Sequence, residues 1–86
     1  MIDLNKESSM KYVVFYGYHG EQIIIFPKKI QHKQFSDSVE QLSYGTMRPI
    51  SGGFVEDGKC VGKSISLGME SRGDEDTKLI SDLLKG

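Results

Sequence analysis

The chain has 86 residues, room for one domain, because domains run to about 100–150 residues and each needs its own core; an enzyme with a cleft between two domains is excluded. Its hydrophobic and charged fractions, 37% and 27%, are those of a folded chain with a thin core rather than of a disordered one. Eleven Lys and Arg against twelve Asp and Glu leave a net charge of −1, which supplies no general field for nucleic acid or an anionic membrane and leaves only local patches.

Alanine and tryptophan are both absent, so any helix must be held by packing rather than by intrinsic propensity. Cys60 is the single cysteine and has no partner for an internal disulfide. With no apolar run near about 18 residues and no charged-then-apolar leader, the expected location is a reducing compartment, the cytoplasm.

Met1–Ser9 is polar and unpatterned. It is expected to be a disordered extension, residues 1–9, on a single α+β domain of residues 10–86, with Met10 a candidate alternative start. Tyr12-Val13-Val14-Phe15-Tyr16 and Gln22-Ile23-Ile24-Ile25-Phe26 are β-branched and aromatic runs on either side of Gly17-Tyr18-His19-Gly20-Glu21, which predicts a hairpin. Pro27 ends its second strand. Phe35, Val39 and Leu42 share one face of a short helix that starts at His32 or Lys33 and stops at Tyr44-Gly45, with the glycine in the left-handed cap.

In the second half, Pro49–Glu56 and Lys59–Gly62 flank Asp57-Gly58, the signal for a second hairpin with a type I′ turn. Gly52-Gly53 predicts a bulge or the close approach of another backbone, and Ser64–Leu67 is expected to extend the fourth strand. Ser71-Arg72-Gly73-Asp74 fits a capping box, the acids Asp74, Glu75 and Asp76 suit a helix N-terminus, and Leu79, Ile80, Leu83 and Leu84 give the last helix its apolar face. The expected fold is α+β: a small two-layer β-β-α-β-β-α domain, an antiparallel sheet with both helices on one face. The other face would then carry Tyr12, Tyr16 and Tyr18 as a binding or dimer surface, unless loops cover it.

Catalytic and ligand motifs are weak. Gly62-Lys63-Ser64 ends like a phosphate-binding loop, but that pattern needs glycine where Asp57 stands, and a helix where Ser64–Leu67 alternates like a strand. His19, His32 and Cys60 have no metal-ligand spacing, and no serine lies in a nucleophile elbow. Asp74, Glu75 and Asp76 are explained by the helix start, and a sheet this small is expected to struggle to enclose about 300 Å³. No enzyme activity, cofactor, metal or membrane contact is expected. Ser64, Ser66 and Arg72 are candidate anchors for a partner's carboxylate, against the ordinary reading of outward-facing serines. Lys28, Lys29 and Lys33 form the one basic run, a candidate nucleic-acid contact if exposed tyrosines stand beside it.

Met10-Lys11-Tyr12-Val13-Val14, Ile25-Phe26-Pro27, Ser51-Gly52-Gly53-Phe54-Val55 and Gly62-Lys63-Ser64-Ile65-Ser66-Leu67-Gly68-Met69-Glu70-Ser71-Arg72 together resemble a family of small uncharacterised proteins encoded by tailed bacteriophages and prophages. The resemblance spans most of Met10 to Leu84 and implies a bacterial host cytoplasm; it carries no activity or catalytic residue. Gly73 departs from the pattern where proline would suit a first helical turn. The resulting expectation is a non-enzymatic accessory protein that binds a host or phage protein, or itself, through a sheet face or strand edge. The alternatives are a small nucleic-acid binder using Lys28, Lys29 and Lys33, and a minor structural component of a phage particle.

Overall fold

A computed structural model describes residues 10–84, and the expected extension at residues 1–9 lies outside them. Met10–Gly17 forms β1 and Gly20–Phe26 forms β2; His32–Leu42 is α1; Arg48–Glu56 is β3, Lys59–Val61 β4, Lys63–Ser64 β5 and Met69–Glu70 β6; Asp74–Leu84 is α2. The first four strands make one antiparallel sheet in the order β2-β1-β3-β4, and β5 and β6 pair separately. The class is the expected α+β, with both expected hairpins present. Asp57 and Gly58 stand at φ 53° and 77°, as a type I′ turn between Glu56 and Lys59 requires.

The helices do not share a face. Leu79 and Ile80 of α2 pack with Met10, Tyr12, Val14, Val55 and Cys60, whereas Phe35 and Val39 of α1 pack with Val13, Phe15 and Phe26. Even and odd positions of β1 point to opposite sides of the sheet, so α2 covers one side and α1 the other, in three layers instead of the expected two. Tyr12, Val13, Val14 and Phe15 are all fully buried, as befits a central strand clad on both faces.

Ser64–Leu67 does not prolong β4. Gly62, at φ 76°, turns the chain, and the β5–β6 hairpin folds back over β3, placing Leu67 against the α1-side core. The Gly52-Gly53 pair answers to close approach, not to a bulge. A side chain at Gly53 would meet the Val61 carbonyl and the Tyr12 ring, and one at Gly52 would meet the Tyr12 carbonyl, the His32 ring and Leu67. The bulge lies upstream, where Val14 and Phe15 face Ser51 and Pro49 and Ile50 is the extra residue. Pro49, which has no N–H to donate, stands beside this irregularity in the part of β3 that β4 does not reach, places where a strand tolerates proline.

Both helix starts are held by side chains, and that of α2 departs from the expected capping box. Gln31 makes no side-chain cap on α1; Ser66 does so from the β5–β6 turn, its Oγ accepting the Lys33 N–H at 3.2 Å. At α2, Gly73 stands at φ 63°, a conformation closed to proline. There Ser71 Oγ accepts the Gly73 N–H and Asp76 accepts the Arg72 N–H, both at 3.0 Å.

Candidate functional site

Three places concentrate polar or exposed aromatic groups. The first is internal. Tyr12 donates its hydroxyl to Asp76 Oδ2 at 2.6 Å, and Arg72 reaches Asp76 Oδ1 through Nε at 2.7 Å and both Glu21 oxygens at 2.9 and 3.0 Å. Burial pushes the Asp76 carboxyl up, but hydrogen bonds from Tyr12 and from the Arg72 backbone and side chain, with the Ser51 hydroxyl close by, together hold it below its usual value. The Ser51 hydroxyl contributes by proximity, since it makes no hydrogen bond of regular geometry. Burial, then the bond to Asp76, raises the Tyr12 phenol far above its usual value. Perturbed groups of this kind often mark active sites, but Tyr12 and Asp76 are fully buried. Their work is to fasten α2 to β1, and Arg72 with Glu21 fastens it to β2.

The second place is the end of the sheet at the β1–β2 turn. Tyr16, Gly17 and Tyr18 with Thr46, Arg48 and Ile50 line an open hollow of about 580 Å³. Cross-strand pairing sets Tyr16 beside Arg48 and Glu21, and the bulge aims Ile50 outward. Tyr18 is 90% exposed, and Tyr44, on the loop that leads into Thr46, is 94% exposed. Tyr44 also takes φ 55°, a left-handed conformation unfavourable for a bulky side chain.

The third lies on the α1 side at the opposite end of β1. Lys11, Gln31, His32, Phe54, Lys63, Ser64, Ile65 and Ser66 line a second open hollow, of about 390 Å³. His32 is buried with its ring edge-on to Phe26 and Phe54 and its Nε2 2.8 Å from the Gly53 carbonyl. Because a carbonyl only accepts, that nitrogen carries the proton. Burial lowers the imidazole's pKa; the Gly53 bond opposes this and Lys11 reinforces it. The sheet encloses neither hollow, but both exceed the expected volume.

The residues singled out in the sequence are thus dispersed. Tyr12 is core beneath α2, while Tyr16 and Tyr18 are exposed at one end. Ser64 and Ser66 belong to the α1-side hollow and Arg72 to the α2 side, so they build no common anchor. Lys28 and Lys29 are exposed after β2 and Lys33 pairs with Asp37 at 3.3 Å. The length of β2, about 20 Å at some 3.3 Å per residue, separates this basic run from Tyr16 and Tyr18, so no combined stacking platform forms. Thr46, Arg48, Ile50, Lys11 and Phe54 carry no local signal, because strand register and the bulge bring them to their hollows, and Lys63 stands out only within the phosphate-loop pattern.

Among the described residues no three His, Cys, Asp or Glu side chains are grouped to hold a metal ion, and no helix is long and apolar enough to cross a membrane. No protein-family model, curated protein or solved structure matches the chain.

Proposed function

We propose that this is a non-enzymatic binding protein whose partner is another protein, docked at the tyrosine-bearing end of the sheet, and that it acts in the bacterial cytoplasm as a phage- or prophage-encoded accessory factor. The observation that carries the docking surface is the clustering of exposed Tyr16, Tyr18 and Ile50 with Arg48 around one hollow. Tyr and Arg are the residue types that dominate protein interfaces, since they give large contact area for little lost entropy and end in a hydrogen-bonding group. Tyr44 supports the same reading, because a strained backbone that holds an aromatic ring in water has no packing role in the isolated chain. The phage origin rests on the resemblance of the Met10–Arg72 segments alone.

The test is photo-crosslinking in the producing cell from a benzophenone side chain placed at Tyr18 or Tyr44, with Gln34 on the exposed face of α1 as control. Discrete adducts from the two tyrosine positions and none from Gln34 support the surface. The same adducts from all three positions, or none from the tyrosines, overturn it. Adduct masses separate a second copy of the chain from a different protein.

A further inference from the structure

We propose that the hollow between the start of α1 and the β5–β6 hairpin is a binding site for a small organic oxyanion, a carboxylate or phosphate carried on an apolar body. Register builds it: Lys11 of β1 stands directly opposite Phe54 of β3 on the α1 side of the sheet, and the hairpin returns Lys63, Ser64, Ile65 and Ser66 to the same corner. Two lysines therefore line a hollow to which no described residue contributes a carboxylate, in a chain that is net negative.

The ammonium groups remain usable. Lys11 commits one of its three donors to the Ile30 carbonyl at 2.8 Å and keeps two. None of the described ion pairs engages Lys11 or Lys63, and Glu70, the cross-strand neighbour of Lys63, lies outside the lining. The Ser66 hydroxyl and the positive end of the eleven-residue α1 add to the same field. Phe54 and Ile65 supply the apolar wall, and Ile65 is 87% exposed. The volume, about 390 Å³, is in the range of small-molecule sites. A bare inorganic ion would leave most of it empty.

The experiment is an NMR titration of the whole chain with phenyl phosphate, inorganic phosphate and benzylamine, following the amide signals of Lys63–Ser66 and the His32 ring. Phenyl phosphate is expected to shift these signals saturably below about 10 mM and to bind about tenfold more tightly than inorganic phosphate, with benzylamine inert. Lys63→Gln should weaken phenyl phosphate about fivefold and Lys63→Arg should restore it, since the guanidinium keeps the charge. Lys63 is exposed, so both variants are expected to keep the native spectrum elsewhere. Equal binding by benzylamine, equal binding by inorganic phosphate, no saturation in that range, or an unchanged affinity in Lys63→Gln would each overturn the assignment.

Discussion

At the scale of single residues, Tyr44 and His32 occupy positions their chemistry resists. Helix α1 ends in a Schellman arrangement, with the Gly45 N–H on the Glu40 carbonyl at 2.8 Å and the Tyr44 N–H on that of Gln41 at 3.2 Å. Tyr44 holds the left-handed position and Gly45 follows it, one residue away from the sequence expectation, which gave that position to the glycine. Tyr44→Gly should stabilise the fold by about 1 kcal/mol, read as a raised denaturant midpoint, while removing the ring proposed for docking. His32 is the opposite case, a polar ring accepted into a core for one hydrogen bond. Its folded pKa is depressed below 6.5, so below that value the unfolded chain binds a proton that the native ring resists. Stability should therefore fall as pH drops from about 6.5 toward the folded pKa and be level just above. In His32→Gln that mild-acid slope should disappear from urea melts across the range, whatever the variant's absolute stability.

At the scale of elements, the strands, both helices and the Asp57-Gly58 turn were legible because each is specified by neighbours in sequence. The layering was not. An amphipathic stripe such as Phe35, Val39 and Leu42 says that a helix covers something, not which face. The informative signal lay in the strands: Val13-Val14-Phe15 and Ile23-Ile24-Ile25 are apolar at both parities, the mark of strands covered on both sides. Leu42, which completed the stripe on paper, is 82% exposed, because α1 reaches the sheet only through its first two turns and Val39. Ser66 capping α1 and Asp76 receiving Tyr12 join residues 33 and 64 positions apart, beyond the reach of any local pattern. The glycine pair serves the backbone instead: a Cβ at Gly53 would overlap the Val61 carbonyl of β4, and one at Gly52 would crowd the Tyr12 carbonyl of β1. The Asp76 network is accordingly the clamp between α2 and the sheet. Asp76→Asn keeps the shape but loses the charge that faces Arg72, and should cost about 3 kcal/mol at neutral pH. Because the Asp76 carboxyl lies below the ordinary aspartate value of 3.8, its contribution is fully present above that value and lost as pH falls through the folded pKa. The wild-type acid limb, measured by denaturant melts between about pH 2 and pH 4, should be shallower in the variant.

At the scale of the molecule, the two edges of the main sheet are treated differently. On β4 the Cys60 N–H is taken by Thr77 Oγ1 of α2 at 2.9 Å, so the helix closes that edge. No described strand pairs with the outer side of β2, where Pro27 and the exposed Lys28 and Lys29 stand at the strand's end, residue types that discourage unwanted strand pairing. The basic run thus has a structural reading as charge at the end of an open edge strand. The closed edge makes Cys60 a reporter of cooperativity. Burial pushes its thiol up to about 11, with Asp76 adding to the shift, and the side chain is 3% exposed beneath α2, so both access and thiolate fraction protect it. Uncovering it means lifting α2 from Met10, Tyr12, Val14 and Val55, one of the two core clusters. A domain of this size holds only about 3–5 kcal/mol of net stability, and a fold that loses half its core has no remaining source for it. Labelling of Cys60 by an aromatic disulfide should thus proceed only through global unfolding, with an opening free energy within about 1 kcal/mol of that from urea melts and the same denaturant slope. A smaller opening energy with a shallow slope would instead identify α2 as a separable unit, hinged at Gly73 and free to leave a four-stranded sheet still clad by α1.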